Sequence, residues 1–434
     1  MRHILSNNIH RITVYLVIIL YVVFLGVITE PDTGNYAHLT IIAPPGYPIF
    51  LFVFKKLLGE ESYFSFVVGA QLIFCVISCV YLIKVLHRVF GVKKNLLILL
   101  DIILLAPLFI PQFLVANRIV SQGLSYPFFL LIIAFFIEGI FEKKRRSFWY
   151  MLLALFVGLL VRTQFFFIIP VLMLVLGYFW KVKKGFRLYG RPLLVLIAIP
   201  IIASLVDKTF HYAVSDRFVS TAHTGVQMMT MPLFVADPED YKVYDDLETQ
   251  EYFKYVYKTA VDKKITDDYY VPAFGDNVYQ YFHYNYVNIS YVVLSKEGRQ
   301  FLMPSDPNSV DALIMNDKFL ISMWFPLFWD NLAKCIDLFY KNVKHALGGF
   351  YMMLVYLMVL IGSLIIWIKR GEKLALFSLV LMLLVFSNVV LVCLVEHSID
   401  RFMMYQHWML PVLLVLLYNK IILDKNKESL TDLT

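Results

Sequence analysis

Charged side chains are scarce in this sequence. Asp, Glu, Lys and Arg make up 16% of its 434 residues, against about a quarter in a soluble domain. That shortfall, with a mean hydropathy of +0.70, excludes an ordinary water-soluble globule. Cysteine is scarce too: there are four, Cys75, Cys79, Cys335 and Cys393, with no Cys-X-X-Cys pair among them. Nothing therefore points to a disulfide framework or a cysteine-based metal or redox centre. A Gly-rich phosphate loop is missing, which argues against a nucleotide-powered pump. The acidic residues of the central region (Asp237, Asp240, Asp245, Asp246, Asp267 and Asp268) do not follow calcium-loop spacing and read as a solvated face. Solenoid repeats and low-complexity segments are also lacking.

What the chain has in quantity is apolar length. The apolar set reaches 60%, and runs of about 18 or more such residues recur from end to end, the mark of spanning helices. The reading is an all-α polytopic membrane protein. Spans fall at about 11–29, 62–86, 95–114, 120–141, twice within 148–180, and at 192–206, 347–368, 374–395 and 402–418, about ten in all. The run 148–180 is too long for one ordinary span and is interrupted by Arg162-Thr163-Gln164. A hairpin of two short spans is one reading. A single tilted helix is the other, disfavoured because an unpaired arginine in hydrocarbon is costly.

If ten helices alternate, the dense basic clusters all fall on one side, and both termini lie in the cytoplasm. Those clusters are Lys84/Arg88/Lys93/Lys94, Lys143–Arg146, Lys181–Arg191, Lys369–Lys373 and Lys420–Lys427. The same bias accounts for the net charge of +7 without a nucleic-acid partner. No small-residue cleavage site follows the first apolar run, so it reads as a retained helix. The chain divides into a membrane module 1–206 with a first outer loop at 30–61, a polar extracytoplasmic domain 207–346, and membrane helices with a tail at 347–434. The polar domain carries turn signals at Pro232, Pro238, Pro272, Pro304 and Pro307. Tyr47 to Leu58 reads as an amphipathic helix in the interface plane. The aromatic stretch 319–332 reads as a second, short interfacial segment.

This topology leaves a few charges on the outer side. Arg118, Arg162 and Arg401 are there, with Asp32, Glu396, His397 and Asp400 at the same level. A carboxylate among arginines at a lipid–water boundary suits an anionic lipid headgroup. The guanidinium fork binds phosphate through two charge-assisted bonds, and a carboxylate in reach can take a proton from a hydroxyl. Each residue also has a plainer reading. Pro31-Asp32-Thr33-Gly34 is ordinary turn chemistry. Arg118 is also an interfacial anchor, Arg162 a partner for a buried carbonyl or carboxylate, and Arg401 a partner for Glu396 or Asp400. His38 and His397 read as loop histidines rather than metal ligands. Because the charges cluster at helix ends, not along the interior, a transporter is the weakest functional reading.

The order Pro31-Asp32-Thr33-Gly34-Asn35-Tyr36, a short gap, then Pro44-Pro45-Gly46-Tyr47-Pro48-Ile49-Phe50-Leu51 resembles the first outer loop of GT-C fold glycosyltransferases. These are the polyprenyl-phosphate-sugar-dependent enzymes that include protein mannosyltransferase and lipid A aminoarabinose transferase relatives. Val161-Arg162-Thr163-Gln164 with Pro170, and Arg401-Phe402 running to Leu410-Pro411, resemble later segments of that family. The resemblance covers most of the first 200 residues and the last 40 in organisation, and no motif in 207–346. It implies that Asp32 is the catalytic base and that Arg401, Arg162 and Arg118 hold the donor phosphate. Tyr36, His38 and Tyr47 would line the sugar or acceptor pocket, with Glu396 and His397 beside them. Many relatives carry two adjacent acidic residues in this loop, whereas Asp32 lies between Pro31 and Thr33 with Glu30 two before it. No metal ligands are assigned, and the need for a divalent metal stays open.

The expected activity is transfer of a sugar from a polyprenyl-phosphate carrier to a glycan or glycolipid hydroxyl, on the outer face of a bacterial plasma membrane. The alternatives are a polysaccharide polymerase or ligase of another polytopic class, and a non-enzymatic transporter of lipid-linked saccharides. A polymerase loop is expected to carry paired arginines for a pyrophosphate lipid, and 207–346 holds only Arg217 and Arg299.

Overall fold

The computed structural model describes residues 2–271 and 278–431, with side chains described over 9–271 and 278–424. Pro272 lies outside the described residues. Every regular element among them is helical, apart from one isolated bridge between Ile28 and Arg118. In chain order the α-helices are α1 (Arg2–Leu25), α2 (Thr33–Ala37), α3 (Gly46–Leu58), α4 (Tyr63–Phe90), α5 (Lys94–Phe109), α6 (Gln122–Phe141), α7 (Arg145–Val161), α8 (Ile168–Lys183) and α9 (Arg191–Ser215). Then come α10 (Thr224–Phe234), α11 (Leu247–Asp262), α12 (Val278–Val287), α13 (Gly298–Leu302), α14 (Val310–Asp330) and α15 (Leu332–Ala346). The last four are α16 (Phe350–Arg370), α17 (Lys373–Val395), α18 (Asp400–His407) and α19 (Met409–Thr431).

Among the described residues, 7 helical segments are long and apolar enough to cross a membrane: α4, α6, Thr163–Lys183, Phe186–Ser215, α16, α17 and Asp400–Asp424. The chain is thus an α-helical polytopic membrane protein. The apolar part of α1, Ile9–Leu25, and the helices α5 and α7, of 16 and 17 residues, fall short of that length. Two of them end early for local reasons. α1 stops at Leu25 rather than Thr29, because Gly26 turns the chain with a positive φ of 68°. α5 stops at Phe109 rather than 114: Ile110 precedes Pro111 and is extended, as the residue before a proline prefers. The 148–180 run breaks at Arg162, whose extended backbone (φ −156°, ψ 115°) separates α7 from α8.

One apolar core runs through the membrane helices, and a second lies within 226–338. A small third cluster, Ile41, Ala222 and Ile314, joins the first loop to the polar region. The Ala222 N–H donates to the Ile41 carbonyl (2.9 Å), which ties the loop down at that point. In the polar region, Pro232 lies inside α10 rather than at a turn, in the helix's last turn. Pro238, Pro304 and Pro307 do mark turns. The stretch 319–332 belongs mostly to the longer α14, whose exposed Ile321, Phe325 and Trp329 recur every four residues on one face.

At the helix ends remote from Asp32, part of the basic charge is paired with carboxylates. Arg88 bonds Glu138 and Glu142, each at 2.5 Å, and Lys144 bonds both. One charge contradicts the expectation that acids and bases keep to the helix ends. Asp101 is fully buried in the middle of α5, where Arg11 Nε (2.5 Å) and Nη2 (3.0 Å) and the Tyr15 hydroxyl all donate to it. A lone aspartate between Leu96–Leu100 and Ile102–Ala106 carries no periodic signal in the sequence, so only the packing of α1 on α5 reveals its partner.

Candidate functional site

The helix ends on the other face converge on Asp32. The chain leaving α1 is zipped to 115–121: the Ile28 N–H donates to the Asn117 carbonyl and the Ile119 N–H to the Ile28 carbonyl, both at 2.9 Å. Asn117 Nδ2 in turn donates to the Val22 and Gly26 carbonyls. The turn at Pro31-Asp32-Thr33-Gly34 is closed by the Thr33 hydroxyl, which accepts from the Glu30 N–H (2.8 Å) and donates to the Ile119 carbonyl (3.0 Å). Asp32 occupies the N-cap position of α2 but makes no side-chain cap bond. The turn therefore uses Thr33 and leaves the Asp32 carboxylate free to point at Arg401, whose Nη2 lies 3.1 Å from Asp32 Oδ2.

The proline-glycine segment has a packing reason. α3 starts at Gly46, and a Cβ there would stand 2.7 Å from the backbone of Leu160 and Val161. Only glycine lets α3 cross the end of α7, one residue before Arg162. Tyr47, next along, is fully buried and donates to Gln71 Oε1 (2.8 Å). Gln71 Nε2 donates onward to the Ala116 carbonyl (2.8 Å). Tyr47, with no exposed surface, thus braces the segment that carries Arg118. Tyr36 stacks edge-on against Tyr47 with 5.0 Å between ring centres.

The three arginines arrive by different routes. Arg162 Nη1 donates to Ser121 Oγ (3.0 Å), which also receives the Tyr36 hydroxyl (3.4 Å). Arg162 Nε donates to Gln164 (2.7 Å), itself anchored on Asn388 and the Phe402 carbonyl. The guanidinium groups of Arg162 and Arg401 lie over the same Phe402 ring, 4.8 and 5.3 Å from its centre. Arg118 pairs with Glu30 at 3.1 Å. Arg118 and Arg401 border one small cleft with Glu30, Gln122 and Met404. In both, Nε is buried and has no hydrogen-bond partner among the described residues. Buried donors left unmade are costly, so these two atoms mark a place that favours an added acceptor.

Glu396 sits at the same level. It accepts from Gln227 Nε2 at 2.5 Å and lies against Tyr286. Burial pushes its carboxyl up to about 7, although Tyr286, Gln227, Arg401 and Arg162 all oppose the shift. His397 stacks face to face on Tyr286, 4.1 Å between ring centres, and its ring meets that of His283 at a tilt, 4.6 Å away. Burial pushes it down to about 3, so it stays neutral. It forms part of an aromatic wall with Tyr286, His283 and Tyr279. His38 is exposed, near Glu60 rather than the arginines.

Several residues at the site carried no signal in the sequence. His223 and Tyr291, with rings 5.2 Å apart, both feel the Asp32 charge. Burial holds His223 down at about 4. It lies directly before α10, whose N-terminus is fixed when the Gly225 N–H donates to Asp317 (2.6 Å). These residues and Gln227 come from the 207–346 region, where no motif stands out. Gln71, inside α4, and Ser121, at the start of α6, join the site only through their hydrogen bonds to Tyr47 and Arg162. Among the described residues, no group of three or more His, Cys, Asp or Glu side chains is arranged to hold a metal ion.

The arrangement offers two arginine-paired carboxylates, Asp32 and Glu30, three arginines and the buried Glu396 carboxyl at the boundary of the membrane bundle. It can bind an anion and take up a proton in the same place. No protein-family model, curated protein or solved structure matches the chain.

Proposed function

We propose that this chain is a membrane glycosyltransferase with a GT-C-like arrangement of about ten spans. In this reading α1, α5 and α7 also cross, both termini are cytoplasmic, and Asp32 faces the outside of a bacterial plasma membrane. The donor is a sugar on a polyprenyl phosphate, and the acceptor is a hydroxyl of a glycan or glycolipid. The observation that carries this reading is the Asp32–Arg401 pair, 3.1 Å apart, beside arginine Nε atoms that lack acceptors.

In the reaction Asp32 takes the proton of the acceptor hydroxyl. The freed oxygen attacks the anomeric carbon from the face opposite the phosphate. The carbon–oxygen bond to the phosphate breaks, its electron pair leaves with the phosphate, and the configuration inverts. Arg401 and Arg162, clamped on Phe402, stabilise the departing charge, with Arg118 beside them. The donor phosphate gives Arg401 a second anion, which loosens its hold on Asp32 as the base is needed. Tyr36 contributes through Ser121 and Arg162, Tyr47 by bracing, and Glu396 as a hydrogen-bonding partner for a sugar hydroxyl. The 207–346 region presents His223, Tyr291 and Gln227 to the acceptor side.

The transporter alternative needs charges along an interior path, and Asp101 is such a charge. Its bidentate engagement by Arg11 makes it a fixed brace rather than a relay. The transferase reading is tested in the native host by comparing surface glycans and lipid-linked sugars of wild type and Asp32→Asn. Loss of one sugar, with its polyprenyl-phosphate monosaccharide accumulating, is the expected result. Loss of all chain length, or a block on the cytoplasmic side, favours the alternatives.

A further inference from the structure

A second feature lies at the opposite ends of the same helices. Between α4, α6 and α7 runs an open groove of about 720 Å³, within the ~300–1,000 Å³ range of small-molecule sites. Its inner walls are Ile77, Leu131 and Phe135, with Tyr81 and Tyr150 packed on either side of Phe135. Its mouth is Lys144, Arg145, Arg146 and Ser147, above Glu138. From Leu131 to the end of α6 at Phe141 is ten residues, so the groove extends roughly 15 Å in from the helix ends.

The charge at the mouth is unbalanced in a specific way. Arg88, Lys143, Lys144, Arg145 and Arg146 face two carboxylates, Glu138 and Glu142, so five cations against two anions leave three positive charges. Both carboxylates are already taken. Glu138 accepts from Arg88, Lys144, the Tyr81 hydroxyl (2.9 Å) and Ser147 Oγ (2.8 Å), and Glu142 accepts from Arg88 and Lys144. Arg145 and Arg146 are exposed and form no ion pair among the described residues. The short connection at 142–144, with Lys143 at a positive φ of 56°, sets them at the rim rather than away from it. Ile77 and Tyr150 are more than half exposed and open the groove sideways, toward whatever surrounds the bundle.

We infer that this groove is a binding site for an anionic phospholipid of the surrounding bilayer. One acyl chain lies along Ile77, Leu131 and Phe135, and the phosphate sits between Arg145 and Arg146. Lateral opening at the helix ends matches the level at which headgroups meet acyl chains, and the free arginines supply the complementary charge. A zwitterionic lipid fills the same apolar wall but gains less at the rim. The site is in the leaflet opposite Asp32, and its occupancy does not depend on the transfer reaction.

The test uses the full-length protein in nanodiscs with spin-labelled phosphatidylglycerol or phosphatidylcholine, alongside native mass spectrometry of retained lipid. Wild type is expected to prefer phosphatidylglycerol by on the order of tenfold to thirtyfold, since each basic side chain near a membrane surface contributes about 1 kcal/mol. Arg145→Gln/Arg146→Gln should abolish that preference while keeping chain immobilisation. Leu131→Trp, which fills the wall, should lose immobilisation of both lipids. Equal affinity for the two lipids in wild type, or an unchanged preference in the double variant, overturns the assignment. So does displacement of phosphatidylglycerol by low polyprenyl phosphate, which would make the groove a carrier site instead.

Discussion

Asp32 and Arg401, from the first loop and the start of α18, form an ion pair at 3.1 Å, and neither is used to close its own turn or helix end. Arg401 also lies over Phe402 together with Arg162, and its Nε is left without a partner. A guanidinium held this way is poised to grip two anions at once, through bonds that an ammonium cannot reproduce.

Arg401→Lys is therefore expected to behave more like Arg401→Gln than like wild type. A charged hydrogen bond is worth about 1.5–3 kcal/mol, so each variant should lose roughly tenfold to a hundredfold in kcat/KM for the polyprenyl-phosphate donor. Steady-state transfer by the protein in proteoliposomes measures it. A lysine variant with full activity would show that charge alone suffices.

Glu396 gives a pH prediction. Burial raises its carboxyl from 4.5 to about 7. Between those values the folded chain holds a proton that the unfolded chain has released, so this contribution to stability falls as pH rises and is gone above about 7. His223 and His397, pushed down from 6.5 to about 4 and about 3, act in the opposite sense over the acidic part of that range. Glu396→Gln removes only the first effect. Its melting temperature relative to wild type should climb from pH 5 to pH 8, measured by thermal unfolding in detergent. Parallel profiles for the two proteins would contradict a raised Glu396.

Gly46 carries a steric prediction. A methyl group there meets the Leu160–Val161 backbone at 2.7 Å, which cannot yield as a flexible side chain would. Gly46→Ala should cost about 1–3 kcal/mol, the usual penalty of overpacking. It should also lower transfer, because the displaced end of α7 carries Arg162. Gly34→Ala, with open space around its Cβ, is the matched control in the same loop. Equal melting temperatures for the two would remove the packing account of the Pro-Pro-Gly segment.

These residues mark what was readable beforehand. The apolar runs announced the helices, because burying polar backbone in hydrocarbon is costly, and the charge bias singled out Arg401 and Arg162, which the fold brings over one Phe402 ring. Asp32 was ambiguous between turn and site. In the fold the Thr33 hydroxyl closes the turn without the Asp32 side chain. Tyr47 looked like a pocket residue by its motif but is a brace, since an aromatic ring and a hydroxyl announce no direction in a sequence. Span ends shifted where Gly26 and Pro111 override hydropathy. His223, Tyr291 and Gln227 stayed hidden because they reach the site through long-range packing of α10 and its neighbours.

Asp101 illustrates the same limit within the bundle. Its pair with Arg11 is buried, and removing one partner of such a pair typically costs about 3–5 kcal/mol. Asp101→Ala should therefore sharply lower the melting temperature, while Arg11→Met/Asp101→Leu together should restore much of it. Transfer by the double variant should match wild type. Activity that tracks Asp101 independently of stability would instead make the pair part of a transport path.

The central claim is that Asp32 takes the acceptor proton. The direct measurement is single-turnover sugar transfer by purified, reconstituted Asp32→Asn, with donor binding followed in parallel. The expected result is a loss of about 10²–10⁴ in the transfer rate, the range of general-base catalysis, with donor affinity changed far less. Transfer at the wild-type rate by a folded Asp32→Asn protein would contradict the account.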